Sequence, residues 1–207
     1  MTNNFIKIKQ SKKSINLRTK VYELGINDAD YIILYKEEGV RKYCPYYSMW
    51  VNMLKRCYSQ SYQRNKPTYI GCSVCSEWLI FSNFKTWVEQ QDWKGKHLDK
   101  DLLVRGNTEY SPNKCVFVSS QVNTLLNNSK ASRGEYAIGV AWSKHHKKFQ
   151  AKCTVLSKPQ HLGFYDTEAE AHEVYLAFKK NLIITTATQQ TDLKLKEALL
   201  KIAQEEY

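Results

Sequence analysis

The chain has 207 residues, of which 43% are hydrophobic and 13% aromatic. This composition is typical of a folded protein and excludes a wholly disordered one. The formal charge of +11 at pH 7 favours a polyanionic partner such as nucleic acid. The alternative is a basic protein whose charges are simply solvated, as in many ribosome-associated proteins.

Membrane insertion and secretion are not expected. No segment reaches the roughly 18 apolar residues that a membrane span needs. The first residues, MTNNFIKIKQSKKS, lack the continuous apolar core of a signal peptide. The sequence therefore predicts a cytoplasmic protein without membrane contact.

Residues 1–43 are predicted to form a basic N-terminal arm and a short β-prone segment. The arm is rich in lysine, and residues 32–35 (Ile-Ile-Leu-Tyr) form the β-prone run. Residues 37–39 (Glu-Glu-Gly) are typical of a turn.

Two helices are predicted to build the core of the next segment. Four apolar residues from position 50 have the spacing i, i+3, i+4, i+7 of one helix face. They are Trp50, Met53, Leu54 and Cys57. Residues 59–67 are polar and predict a loop. Ser82 is a typical N-cap for the second helix, whose inward residues would be Phe84, Trp87 and Val88. We interpret Trp50, Trp78 and Trp87 as core residues.

Six cysteines occur in a chain without an export signal, which argues against a disulfide framework. Cys72 and Cys75 have CxxC spacing, in which a tight turn directs two thiolates to one metal ion. The predicted structural Zn²⁺ site consists of Cys57, Cys72, Cys75 and Cys115. The alternative is that these cysteines are small apolar core residues with free thiols.

The segment from Leu98 to Asn123 predicts a strand, a loop, a second strand and a helix. Asp99 lies at the first strand and Asn123 on the final helix. This is the layout of a ββα-metal finger, in which two such side chains hold one divalent ion against a phosphate.

The C-terminal block predicts a small two-layer unit. Residues 129–134 form a polar linker, and three β-prone runs follow at 137–142, 148–155 and 161–165. Thr167 and Glu170 have capping-box spacing, so a helix should begin there. Its expected inward face carries Ala171, Val174, Tyr175 and Phe178. The tail, residues 183–207, predicts a further amphipathic helix.

Four short motifs of this block resemble the apetala-two DNA-binding domain, over about 50 residues. The motifs are residues 138–142 (IGVAW), 148–152 (KFQAK), 162–165 (LGFY) and 167–171 (TEAEA). The resemblance implies a three-stranded sheet that reads the DNA major groove. The side chains expected to contact DNA are Arg133, Trp142, Lys144, Lys147, Lys148 and Lys152.

Residues 25–128 resemble phage HNH, or homing, endonucleases. The matching pieces include residues 25–31 (GINDADY), 56–59 (RCYS), 71–78 (GCSVCSEW) and 98–101 (LDKD), with 110–123 at the end. The resemblance implies a DNA-cutting protein of a bacterial host cell, with Mg²⁺ or another divalent cation held by Asp99 and Asn123.

Two motif positions depart from that family. Lys100 stands where an intact motif has the histidine general base, and Lys114 stands at the middle asparagine. A charged lysine cannot accept a proton. Lys100 would instead stabilise the phosphorane, while Asp101 or a metal-bound hydroxide serves as base.

Together these patterns predict an α+β protein. An HNH-like ββα-metal finger with surrounding helices occupies residues 44–128, and a three-stranded antiparallel sheet plus helix occupies residues 135–182. The expected function is site-selective binding of double-stranded DNA, with two alternatives. The protein is either a metal-dependent endonuclease or nickase, or a non-catalytic repressor or inhibitor derived from one, with a protein partner also open.

Overall fold

The computed structural model describes residues 8–126, 134–156 and 158–207. They form an α+β protein with small sheets, which confirms the predicted fold class at that level. The chain divides into two compact units, Met1–Phe117 and Val118–Tyr207. In the part of the chain that is described, no helix is long and apolar enough to cross a membrane.

From residue 8 onward, the first unit contains four helices and most of six short strands. In chain order they are α1 Lys12–Asn16, β1 Leu34–Glu37, β2 Val40–Tyr43, α2 Pro45–Tyr58, α3 Gln60–Asn65, β3 Ser73–Val74, α4 Phe81–Glu89, β4 His97–Asp99, β5 Glu109–Tyr110 and β6 Val116–Val118. The pairs are β1 with β2, β3 with β5, and β4 with β6. Single 3-10 turns occur at Pro67–Tyr69 and Ser76–Leu79.

The core of this unit forms around the predicted face of α2. Trp50, Met53 and Leu54 are at most 1% exposed, which confirms that face. The Trp50 indole donates to the Trp78 carbonyl oxygen at 2.7 Å. Gly25 lets its backbone approach this core closely, because a Cβ there would lie 2.4 Å from Leu54 Cδ1.

Two local predictions in this unit were wrong. Residues 59–67 are not a loop throughout, because Ser59 caps α3 by accepting from the Tyr62 N–H. Ser82 is not an N-cap but lies inside α4. Its N–H donates to Asp28 Oδ1 at 2.9 Å, so α4 is capped by a residue 54 positions away.

The second unit contains α5 Ser120–Leu126, β7 Val140–Ser143, β8 Lys148–Val155, β9 Lys158–Tyr165, α6 Glu168–Thr188 and α7 Leu193–Glu205. The strands form one antiparallel sheet in the order β7-β8-β9, which confirms the predicted three-stranded sheet. The capping box of Thr167 and Glu170 is present at the start of α6.

The buried face of α6 differs from the expected one. Ala171 and Tyr175 are buried as predicted, whereas Val174 and Phe178 are only half-buried. The buried face of α6 continues instead through Lys179 and Ile183. A lysine thus occupies a core position, which the apolar pattern did not indicate.

Candidate nucleic-acid interface

Asp99 ends β4 and organises the loop that follows. Its Oδ1 accepts the backbone N–H groups of Asp101 and Leu102, both at 2.9 Å. A carboxylate that holds two N–H groups fixes the direction in which the chain leaves the strand. These two hydrogen bonds give Asp99 a structural role that does not require a bound metal ion.

Lys100 is buried, with 6% of its surface exposed. Its ammonium donates to the Asp101 carboxylate and to the Asn107 carbonyl oxygen, the latter at 2.8 Å. Burial lowers the pKa of Lys100, but the hydrogen bond and the charge of Asp101 outweigh it and raise the pKa above its ordinary value. Lys100 is therefore a cation near neutral pH, and its donors are directed into its own loop.

Asn107 is a buried polar residue that sequence reasoning missed. Its amide group donates to the carbonyl oxygens of Lys100 (2.8 Å) and Glu109 (2.6 Å), and its Oδ1 accepts the Glu109 N–H. The available signal was the Gly106-Asn107 dipeptide, which marks a turn. That signal did not show that the asparagine points inward.

The remaining motif positions lie at the surface. Lys114 pairs with Glu109 at 2.8 Å, and both side chains are about 40% exposed. Asn123 is exposed on α5 and its N–H donates to the Ser119 carbonyl oxygen. It belongs to the second unit and Asp99 to the first. A divalent ion shared by Asp99 and Asn123 stays a prediction.

The four cysteines of the predicted zinc site lie on separate elements. Cys72 and Cys75 flank β3, Cys57 is on α2, and Cys115 precedes β6. All except Cys75 are buried. Burial raises the pKa of Cys57 and of Cys115 to about 12, so both are neutral thiols unless a metal displaces the proton. Among the described residues, no group of three or more His, Cys, Asp or Glu forms a metal centre, and the zinc site stays a prediction.

The C-terminal sheet has two distinct faces, and strand register assigns residues to them. Phe149 pairs with Trp142 and Tyr165, whereas Gln150 pairs with Ala141 and Phe164. Cross-strand partners share a face. Phe149 and Tyr165 pack towards α6, so the row through Gln150 lies on the opposite, outer face.

A polar and aromatic cluster covers this outer face. The Gln150 amide nitrogen lies 2.9 Å from His161 Nδ1. The Phe164 ring stacks on His146 with ring centroids 3.9 Å apart and lies 4.5 Å from His161. Lys152 pairs with His161 across the strands and is exposed. Successive residues of a strand point to opposite faces, so the sequence could have placed Gln150 and Lys152 on the face opposite to buried Ala151. Phe164 could be placed on that face only from the pairing of β8 with β9.

The predicted DNA-contacting residues do not all lie on that face. Trp142 shares the face of Phe149 and meets it edge to face, with ring centroids 4.9 Å apart. Lys144 and Lys147 lie in the exposed β7–β8 turn. Lys148 pairs with Asp166 at 3.0 Å. Arg133 lies outside the described residues.

No match is found when the chain is compared with protein-family models, with curated proteins or with solved structures.

Proposed function

We propose that the protein binds double-stranded DNA site-selectively, through the outer face of the C-terminal sheet. The observation that carries this proposal is the cluster of exposed His161 with half-buried Gln150 and Phe164, which lies beside the lysine-rich β7–β8 turn. A small antiparallel sheet can enter the major groove and present such side chains to base edges.

The chemistry of the cluster suggests what it would read. A glutamine amide can pair with adenine through two hydrogen bonds, and a phenylalanine ring can contact a thymine methyl group. Gln150 and Phe164 are cross-strand partners, so they would meet neighbouring bases. The expected site therefore contains adenine–thymine pairs.

Lysines beside the cluster would provide the sequence-independent part of the affinity. Lys144, Lys147 and Lys152 are exposed, and each lysine that contacts a phosphate releases counterions from DNA. The affinity for duplex DNA should therefore fall steeply as the salt concentration rises.

Binding to a library of duplexes at several salt concentrations tests this proposal. Replacing Lys144, Lys147 and Lys152 by Ala should reduce the slope of log affinity against log salt by about one unit per phosphate contact. The control, Lys194, Lys196 and Lys201→Ala on α7, removes the same charge and should leave the slope nearly unchanged. Gln150→Ala should lower affinity for the preferred duplex by about tenfold and leave non-specific affinity unchanged. Equal slopes for both triple variants would contradict the proposal.

Within this function we propose the non-catalytic alternative, a nuclease-derived repressor or inhibitor. The Lys100 ammonium is engaged by Asp101 and Asn107, and Asp99 holds two backbone N–H groups. Asp99 and Lys100 thus both have structural partners in the loop after β4, which favours the non-catalytic alternative.

A plasmid assay separates the two alternatives. The native protein should leave supercoiled DNA intact in Mg²⁺ or Mn²⁺ under conditions in which it binds. Asp99→Asn keeps an oxygen for the loop and removes the charge, so it is the informative comparison. Metal-dependent nicking by the native protein that Asp99→Asn abolishes would establish the endonuclease instead.

A further inference from the structure

A cleft of about 790 Å³ lies along β7, an edge strand of the sheet, and residues of β7, β8 and α6 line it. Its lining includes three lysines, Lys144, Lys152 and Lys179, and one acidic residue, Glu135. The cleft is thus strongly basic. Gln150, His161 and Phe164 are absent from its lining, but Lys152, the cross-strand partner of His161, belongs to the cleft as well as to the outer face.

Lys179 is the unusual member of this lining. It lies on α6 with only 6% of its surface exposed, near Cys153 on β8. Among the residues that the structure describes, none accepts a hydrogen bond from Lys179 or pairs with it. Burial lowers the pKa of Lys179, and the electrostatic interaction with an ionised Cys153 opposes this only in part. A buried ammonium group without a hydrogen-bond acceptor lowers the stability of the fold unless a ligand places a negative charge beside it.

One wall of the cleft is held rigidly against α6. The Ala137 N–H donates to the Glu168 carboxylate at 2.7 Å, and His172 Nδ1 lies 3.0 Å from the Ile138 carbonyl oxygen. Gly139 has a φ of +82°, and a Cβ there would lie 2.1 Å from the Tyr175 ring. The position of this wall therefore depends on contacts away from the lysines.

We propose that this cleft binds a phosphate group, with Lys179 as the buried donor and Lys144 and Lys152 as its exposed partners. A phosphate carries several strong acceptor oxygens and can meet more than one ammonium group at once. Two sources share this chemistry: a small phosphorylated molecule and the backbone of DNA. The inference rests in part on the proposed function, because Lys144 and Lys152 also belong to the proposed DNA-binding surface, and it adds Lys179 as a buried donor.

Thermal unfolding of the full chain in inorganic phosphate, against chloride at equal ionic strength, tests the proposal. A ligand that binds only the folded state raises the melting temperature by mass action. Phosphate also stabilises proteins non-specifically, and that part should be the same in every variant. At saturating phosphate, the melting temperature of the native protein should therefore rise by about 4 °C more than that of Lys179→Met. The control Lys180→Met, at the half-buried neighbour on α6, should behave like the native protein.

The same measurement with a short duplex distinguishes the two sources. A Lys179-dependent gain with inorganic phosphate alone indicates a small anion, and a gain only with duplex indicates the DNA backbone. Equal gains in the native protein and in Lys179→Met, with both phosphate and duplex, would overturn the anion site. Loss of DNA affinity in Gln150→Ala with the phosphate response intact would show that the two surfaces act independently.

Discussion

The loop after β4 and the cleft beside β7 each contain a buried lysine, but the two lysines differ in their hydrogen bonds and in the direction of their pKa shifts. Lys100 and Lys179 are both 6% exposed. The ammonium of Lys100 has two acceptors from its own loop, and its pKa is raised. No described residue accepts a hydrogen bond from Lys179, and its pKa is lowered by burial.

The difference indicates separate roles for the two residues. A buried charge that is fully paired is part of the structure, since removing it leaves its partners unsatisfied. A buried amine without a partner contributes nothing comparable to the fold, and its donors are available to a ligand. Lys100 therefore stabilises its loop, and Lys179 is the better candidate for binding.

The largest expected effect is the loss of stability in Lys100→Met. The substitution keeps the length of the side chain but leaves the Asn107 carbonyl oxygen without its donor. We expect a decrease of about 2 kcal/mol in the free energy of unfolding, measured by urea denaturation. Lys96→Met is the control, because the ion pair of Lys96 with Asp92 is at the surface. Its loss should lower the free energy of unfolding by less than about 0.5 kcal/mol. Similar effects of both substitutions would show that the Lys100 contacts are not structural.

For Lys179→Met we expect a smaller change in the free energy of unfolding, and of opposite sign. The apolar side chain fills the same space without the cost of a buried amine, so the protein should become more stable by about 1 kcal/mol in phosphate-free buffer. Urea denaturation beside Lys180→Met measures it. A clear loss of stability would mean that Lys179 already has a compensating partner.

The smallest effect is a difference in alkaline pH dependence. The folded-state pKa of Lys179 is below its ordinary value of 10.5, so between these two values the unfolded state binds more protons. The free energy of unfolding should therefore rise with pH in that window. Lys179→Met should lack this rise, and Lys100→Met should keep it. Parallel pH profiles for the native protein and Lys179→Met would contradict the lowered pKa.

Local signals in the sequence predicted much of the fold correctly. The buried face of α2 followed from the spacing of Trp50, Met53 and Leu54, and the start of α6 followed from Thr167 and Glu170. β8 was predicted with its exact bounds, Lys148–Val155. Each of these features depends on residues a few positions apart, which the chain itself places together.

The candidate sites were predicted less completely. The lysines of the β7–β8 turn could be chosen from charge alone, but the outer-face partners of Gln150 depend on strand register. The buried position of Lys179 contradicts the usual exposure of lysine, so no sequence pattern could indicate it. Lys100 was correctly expected to be charged, yet the acceptors that bind it were not foreseen.

Composition, helix periodicity and capping residues were thus enough to establish an α+β protein of high positive charge with a three-stranded sheet near its C-terminus. The tertiary structure alone decided which way the decisive side chains point. Asp28 caps a helix 54 residues away, Asn107 turns inward to hold the Lys100 loop, and Lys179 is buried in the cleft beside β7. The physical reason is the same in each case, because burial and hydrogen bonding are determined by elements that meet only in the folded chain.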